Sequence, residues 1–151
     1  MRISAKADYA IRAAAELAAA SPELIKGEQL AAAQSIPLKF LENILSELRH
    51  AGVVASQRGA EGGYSLARPA DEITLAEVIR AVDGPLANVH GGRPETAEYG
   101  GAAGALRVVW IALRTNIRAV LESVTLADLA AGELPDDVAA LAADPEAWLS
   151  H

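Results

Sequence analysis

Between Leu38 and Leu48, apolar residues fall at Leu38, Leu41, Ile44, Leu45 and Leu48, the spacing of a helix that buries one stripe. Pro37 stands at its head, where a missing N–H costs nothing, and Gly52 stands where a left-handed residue would end it. The pattern predicts a helix from Pro37 to about Ala51. Two short apolar runs follow, Val53 to Ser56 and Tyr64 to Leu66. The seven residues between them hold three glycines, as a hairpin tip needs where φ turns positive. Arg58 sits on that tip.

Upstream, Ser4 can cap a helix from Ala5 to about Ala20, with Tyr9, Ala13, Leu17 and Ala20 on its apolar side. Ser21-Pro22 interrupts the pattern, and GEQLAAAQ, Gly27 to Gln34, gives a short second helix before the turn at Ser35-Ile36. Downstream, Thr74 heads TLAEVIRAVDG, and Glu77 three residues on completes a capping box; Leu75, Val78, Ile79 and Val82 form the apolar face. Pro85 to Gly101 is glycine-rich and shows no period, and a loop of that length is usually functional or disordered. A long helix is predicted from Ala102 to about Ser123. Its stripe is Leu106, Val109, Trp110, Leu113, Ile117, Val120 and Leu121, with Arg107, Arg114 and Arg118 on the other side. So wide a stripe in so short a chain is expected to pack against a second copy. Thr125 caps a last short helix, and the acidic, alanine-rich residues 133–151 are expected to be partly ordered at best. No internal repeat is evident.

Three helices with a tight second turn, followed by a basic-tipped hairpin, is the order of a winged helix-turn-helix. The expected fold is mostly α with a small β-hairpin wing and a long dimerisation helix. Residues 1–70 would form the DNA-binding domain, 71–84 a connecting helix and 85–101 a sensor loop. Residues 102–132 would supply the dimerisation helix and a short C-terminal helix, leaving 133–151 as an acidic tail.

The net charge of −7 over 151 residues changes that picture only until it is divided. Residues 1–70 carry 8 Lys and Arg against 7 Asp and Glu, a balance of +1; residues 71–151 carry 5 against 13, a balance of −8. The acid lies away from the expected reader, and local charge sets attraction to phosphates. A balance of +1 is still a weak footprint, which favours binding as a dimer. Aromatics are 4%, so alanine, leucine and valine must fill the core. No apolar run approaches the roughly 18 residues of a membrane span, the N-terminus lacks a signal-peptide core, and the expected location is the cytoplasm. Zero cysteines exclude disulfides and thiolate metal sites.

On the recognition helix, Lys39, Phe40, Glu42 and Asn43 point away from the leucine stripe near its N-terminus. Lys39 can donate to guanine or phosphate, Phe40 can pack on a thymine methyl, Glu42 can accept from cytosine and Asn43 can pair with adenine. Arg58 would enter a minor groove. Ser56, Gln57 and Arg49 are candidate phosphate contacts, although Arg49 could instead pair with Glu47 or the connector. An enzyme finds no support: no phosphate loop precedes a helix, there is no GxSxG, and His50, His90 and His151 are scattered.

The blocks MRISAKADYAIRA, PLKFLENILSELRHAGVVASQRGAEGGYSLARP and ITLAEVIRAVDG closely resemble the Rrf-type winged-helix transcription regulators, the group of IscR, NsrR and CymR. The resemblance covers about residues 1 to 132. It implies a homodimer with crossed long helices, bound to a palindromic operator through the Pro37 helix, and it supports the positions of Lys39, Phe40 and Glu42 most. Cluster-binding members of the group carry three cysteines in the loop before the long helix. Here that loop offers only His90, Arg93, Glu95, Glu98 and Tyr99, so no thiolate-ligated iron–sulfur cluster and no other cofactor or metal is expected. Asp8, which matches a carboxylate ligand of some nitric-oxide sensors, reads here as a polar helix residue. The group has cysteine-free members, so the departure bears on sensing and not on DNA. The expectation is a repressor of double-stranded DNA with a small-molecule or protein effector acting at the 85–101 loop. The alternatives are control by a bound metabolic enzyme, as in the resemblance to CymR, or a winged-helix adaptor that binds protein.

Overall fold

Ser4 begins the first helix as its residue type suggests. Its Oγ accepts the Ala7 N–H at 2.9 Å and donates to Asp83 at 2.5 Å, fixing the start of α1 (Ala5–Ala20) against the end of α4 (Leu75–Asp83). The structure is a computed structural model that describes residues 1–151. The buried side of α1 is Ala7, Ala10, Ala13, Ala14 and Leu17. Tyr9 and Ala20, expected on that side, lie half-buried at its edge. Four alanines on one face let neighbouring helices approach closely, and α1 packs against α2 (Gly27–Gln34), α3 (Leu38–His50), α4 and α6 (Leu126–Ala131).

Pro37 caps α3 from outside the helix. Its ψ of 125° is extended, while its carbonyl accepts the Leu41 N–H at 2.9 Å. Leu41, Ile44, Leu45 and Leu48 are buried, each stabilising the fold by ~1.5–3 kcal/mol. The helix closes on Gly52 at φ +77°: Gly52 N–H donates to Arg49 and Val53 N–H to Leu48. That closure turns the chain straight into the wing. β1 (Val54–Gln57) pairs antiparallel with β2 (Gly63–Leu66), Val54 opposite Leu66 and Gln57 opposite Gly63. Gln57 therefore belongs to the strand, and the tip is Arg58 to Gly62. Ile25 exchanges two backbone hydrogen bonds with Tyr64, at 2.9 and 2.7 Å, and ties the wing to the helical body.

The two threonine caps meet. Thr74 with Glu77, and Thr125 with Asp128, each form a reciprocal capping box. Leu75 N–H donates to the Val124 carbonyl and Leu126 N–H to the Ile73 carbonyl, at 3.0 and 2.9 Å. The similar stretches Ile73-Thr74-Leu75-Ala76-Glu77 and Val124-Thr125-Leu126-Ala127-Asp128 thus lie side by side, and Ile73, Val78, Val82 and Leu126 share one core with Leu41, Leu45 and Leu48. Thr74→Ala should lower stability by about 1 kcal/mol in urea unfolding.

The Glu77 carboxyl also makes the cap sensitive to acid. Partial burial pushes its pKa up, but bonds from Thr74 N–H and Arg68 outweigh that and hold it below its ordinary 4.5. A carboxyl depressed on folding contributes stability above its unfolded value and loses it as pH falls through the folded one. The stability gap between the wild type and Glu77→Gln should therefore close as urea unfolding is repeated at progressively lower pH below 4.5.

The long helix is shorter than its pattern suggested. A 3-10 turn takes Gly101–Ala103, with Gly101 at φ +57°, so α5 runs only Leu106–Leu121. It rests on α4 and on a second 3-10 turn, Pro94–Thr96, and none of its residues is buried. The C-terminal segment is more regular than expected. Asp136–Ala143 forms α7, and Trp148 in the turn after it donates from Nε1 to the Ala142 carbonyl at 2.6 Å.

Candidate nucleic-acid interface

The buried stripe of α3 fixes which side chains face outward. At about 100° per residue, Lys39, Asn43, Ser46 and His50 form a row opposite Leu41, Leu45 and Leu48. Lys39, Asn43 and His50 are exposed, Ser46 is half-exposed, and His50 Nδ1–H donates back to the Ser46 carbonyl at 2.7 Å. Sequence spacing had not assigned Ser46 or His50 to this surface. The signal was present, since both lie one helical turn apart on the line begun by Lys39 and Asn43.

Each flank of that row is held differently. On the α1 side, the Phe40 ring stands edge-on to Tyr9, with centroids 5.7 Å apart, and Glu47 accepts from Lys6 at 2.8 Å. Phe40 is still 43% exposed, so it keeps a face for a ligand. On the wing side lie Glu42 and Arg49. Arg49 donates to Ser56 at 3.4 Å and makes no ion pair, so its weighed pairing with Glu47 is not formed; Lys6 takes Glu47 instead. Ser56, Gln57 and Arg58 are all exposed. The structure thus places the eight residues singled out for DNA contact on the outer surfaces of two consecutive elements, a helix and the hairpin it feeds.

The chemistry of this surface is directional. Lys39 and Arg58 are cations without an ion-pair partner, Asn43 offers a donor and an acceptor, and Glu42 only accepts. Such a set can read base edges along a major groove while the hairpin tip reaches a backbone or minor groove beside it. Asp8 forms an ion pair with Arg12 at 2.9 Å.

In the second region, Trp110 Nε1–H donates to the Tyr99 hydroxyl at 3.0 Å and Arg114 to Glu95 at 2.5 Å, so the 85–101 loop is fastened to α5. His90, Arg93 and Glu98 are exposed. Of the expected stripe, Leu106, Trp110, Leu113, Ile117, Val120 and Leu121 are half-buried and Val109 is 53% exposed; Val108, outside the expected stripe, is 65% exposed. The arginines border this stripe rather than oppose it, because Arg114 and Leu121 are only about 20° apart around the helix.

No three His, Asp or Glu side chains converge on one point, and no helix is long and apolar enough to cross a membrane. An iron–sulfur cluster of the kind held by the cluster-binding members of the resembled group needs thiolates. This chain has none, and Glu95, the loop carboxylate nearest α5, is committed to Arg114. The residues present do not fit that group.

Comparison with known proteins agrees with this geometry. Residues 3–132 match the Rrf2 family, described as an iron-dependent transcriptional regulator. The chain is 54% identical over 145 residues to the HTH-type transcriptional regulator Rv1287 of Mycobacterium tuberculosis, covering 95% of this chain and 90% of that one. It is 37% identical over 133 residues to the HTH-type transcriptional regulator CymR of Bacillus subtilis, covering 86% and 90%. The solved structure of CymR, the global cysteine regulator of B. subtilis, superposes with a TM-score of 0.74 over 87% of this chain and 98% of its own, at 35% identity. IscR of T. potens superposes at 0.69 and 28% identity, over 100% and 93%. The chain belongs to the Rrf2 family of winged-helix, DNA-binding transcriptional regulators.

Proposed function

We propose that the chain acts as a homodimeric repressor on a palindromic operator. Two copies pair through α5, the outward row of each α3 enters a major groove, and each Arg58 lies in a flanking minor groove. The observation that carries this reading is α5 itself. It bears Leu106, Val109, Trp110, Leu113, Ile117, Val120 and Leu121, yet buries none of them within one chain. A second copy of the same helix is the simplest cover for such a face. Half-sites one DNA turn apart, roughly 34 Å, would then follow from the two-fold axis. An effector would act through the 85–101 loop, which joins α4 to α5 and so bears on the spacing of the two readers.

Sedimentation and gel-shift titration on genomic fragments test the proposal: a dimer with salt-sensitive, sequence-selective binding supports it, and binding without sequence preference removes it. Arg58→Ala should weaken binding about tenfold, evenly across operator variants, and flatten the dependence on salt. Asn43→Ala should instead change the base preference at one position per half-site. The low basic charge of residues 1–70, a balance of only +1, favours a second reading, a protein-binding adaptor. Under that reading, reversing Lys39 and Arg58 would leave cellular function intact.

A further inference from the structure

A cleft of about 570 Å³ opens between α4, the 85–101 loop and α5, with Arg80, Arg93, Arg114 and Arg118 on its walls and Leu86 and Pro94, both buried, beneath. Its charge is not balanced. Arg114 pairs with Glu95, but Arg80 and Arg118 share the single carboxylate of Glu122, at 2.6 and 3.0 Å, and Arg93 has no ion pair. Four guanidiniums against two carboxylates leave +2, in a half of the chain whose balance is −8.

Both carboxylates stay ionised at neutral pH, so the count holds. Glu95 is kept below the usual range by its own backbone N–H and by Arg114, and Glu122 by Arg80 and Arg118. Fastening the loop to α5 needs only the Glu95–Arg114 pair and leaves Arg93 and the doubled use of Glu122 unexplained. Guanidinium forks gathered without enough acid match the planar, bidentate recognition of carboxylates and phosphates. The volume suits a small molecule.

We propose that this cleft binds a small dianion, a dicarboxylate or a phosphate monoester, as the effector of the protein. The inference rests on the reading of the 85–101 loop as the sensor and gives that sensor its ligand class. Arg80 belongs to α4, which shares the core with α1 and α3, whereas Arg114 and Arg118 belong to α5. A dianion bridging them fixes the angle between the reader and the helix proposed to pair the two copies.

Calorimetry on the full chain at matched ionic strength tests this, with inorganic phosphate, glycerol 3-phosphate, succinate and malate as probes and acetate as the monoanion control. The expected result is saturable binding of one probe class per chain and none of acetate; whether the phosphates or the dicarboxylates bind identifies the source. Arg93→Gln should weaken that binding about tenfold, the loss of one guanidinium contact that no ion pair occupies. Glu95→Gln should strengthen it about fivefold by freeing Arg114, a gain that damage to the fold would not produce. Absence of saturable binding by all four probes overturns the inference, as does Glu95→Gln without a gain. A loss of operator affinity in Arg93→Gln with no small anion present also overturns it, since the cleft would then be gripping DNA phosphates. The calorimetry contains no DNA, so its failure and a failure of operator binding are read separately.

Discussion

Val109→Asp is expected to convert the protein to a monomer and to reduce operator affinity by about 10²–10⁴-fold, the factor lost when two linked binding events become independent. Val109 is 53% exposed in the single chain, so a carboxylate there can stay in water without entering the core. In a dimer paired through α5, the introduced charge would be buried beside its symmetry copy, and like charges out of water repel strongly. Helical circular dichroism should change little, the concentration dependence of Tm should disappear, and sedimentation should show one species of about half the wild-type mass. The residual DNA binding should then be that of one half-site, with roughly half the salt dependence. A dimer that survives the substitution would place the pairing surface somewhere other than the Val109 side of α5.

The parts of the fold that were legible in the sequence are those where contrast between apolar and polar positions is strong. The α3 stripe alternates Leu41, Ile44, Leu45 and Leu48 with charged residues, and a proline and a glycine bracket it. Its rotation, and with it the outward position of Lys39 and Asn43, followed from spacing alone. The Thr74 and Thr125 caps were legible for the same local reason: a hydroxyl reaches an N–H three residues on, whatever the rest of the chain does.

Where contrast is weak, the pattern misled. In AIRAAAELAAA seven of eleven positions are alanine, so which face of α1 is buried is decided by α3, α4 and α6 and not by the helix itself. The start of α5 was placed early because alanine and glycine at 101–105 carry no side chain that could argue for or against a helix. The side-by-side Thr74 and Thr125 caps, and the gathering of Arg80, Arg93, Arg114 and Arg118, depend on contacts across as many as 53 positions of sequence. No local rule reaches that far. The candidate DNA surface, by contrast, lies within 20 consecutive residues from Lys39 to Arg58, which is why its composition could be read before its shape.

Gly62→Ala is expected to disable the wing while leaving the helical body folded. A Cβ built on Gly62 would lie 2.1 Å from the Gln57 carbonyl oxygen and 2.8 Å from the Arg58 carbonyl carbon, both backbone atoms of the opposite side of the tip. Neither can yield as the end of a side chain does, so the tip must open. The Gln57–Gly63 pair at the end of the ladder would be lost first, and with it the placement of Gln57 and Arg58. The rest of the ladder has separate support, since Val54 at its base is buried and Tyr64, one pair in from the tip, is bonded to Ile25. The damage should therefore stop short of the core. Two misplaced wings per dimer, each forfeiting contacts worth about 1–2 kcal/mol, amount to roughly a hundredfold loss of operator affinity. That loss should exceed the roughly tenfold loss of Arg58→Ala, because Gln57 moves as well. Amide exchange at Gln57 and Gly63 should rise, and helical circular dichroism should not fall. An alanine variant that binds the operator as tightly as the wild type would mean that the wing tip does not touch DNA.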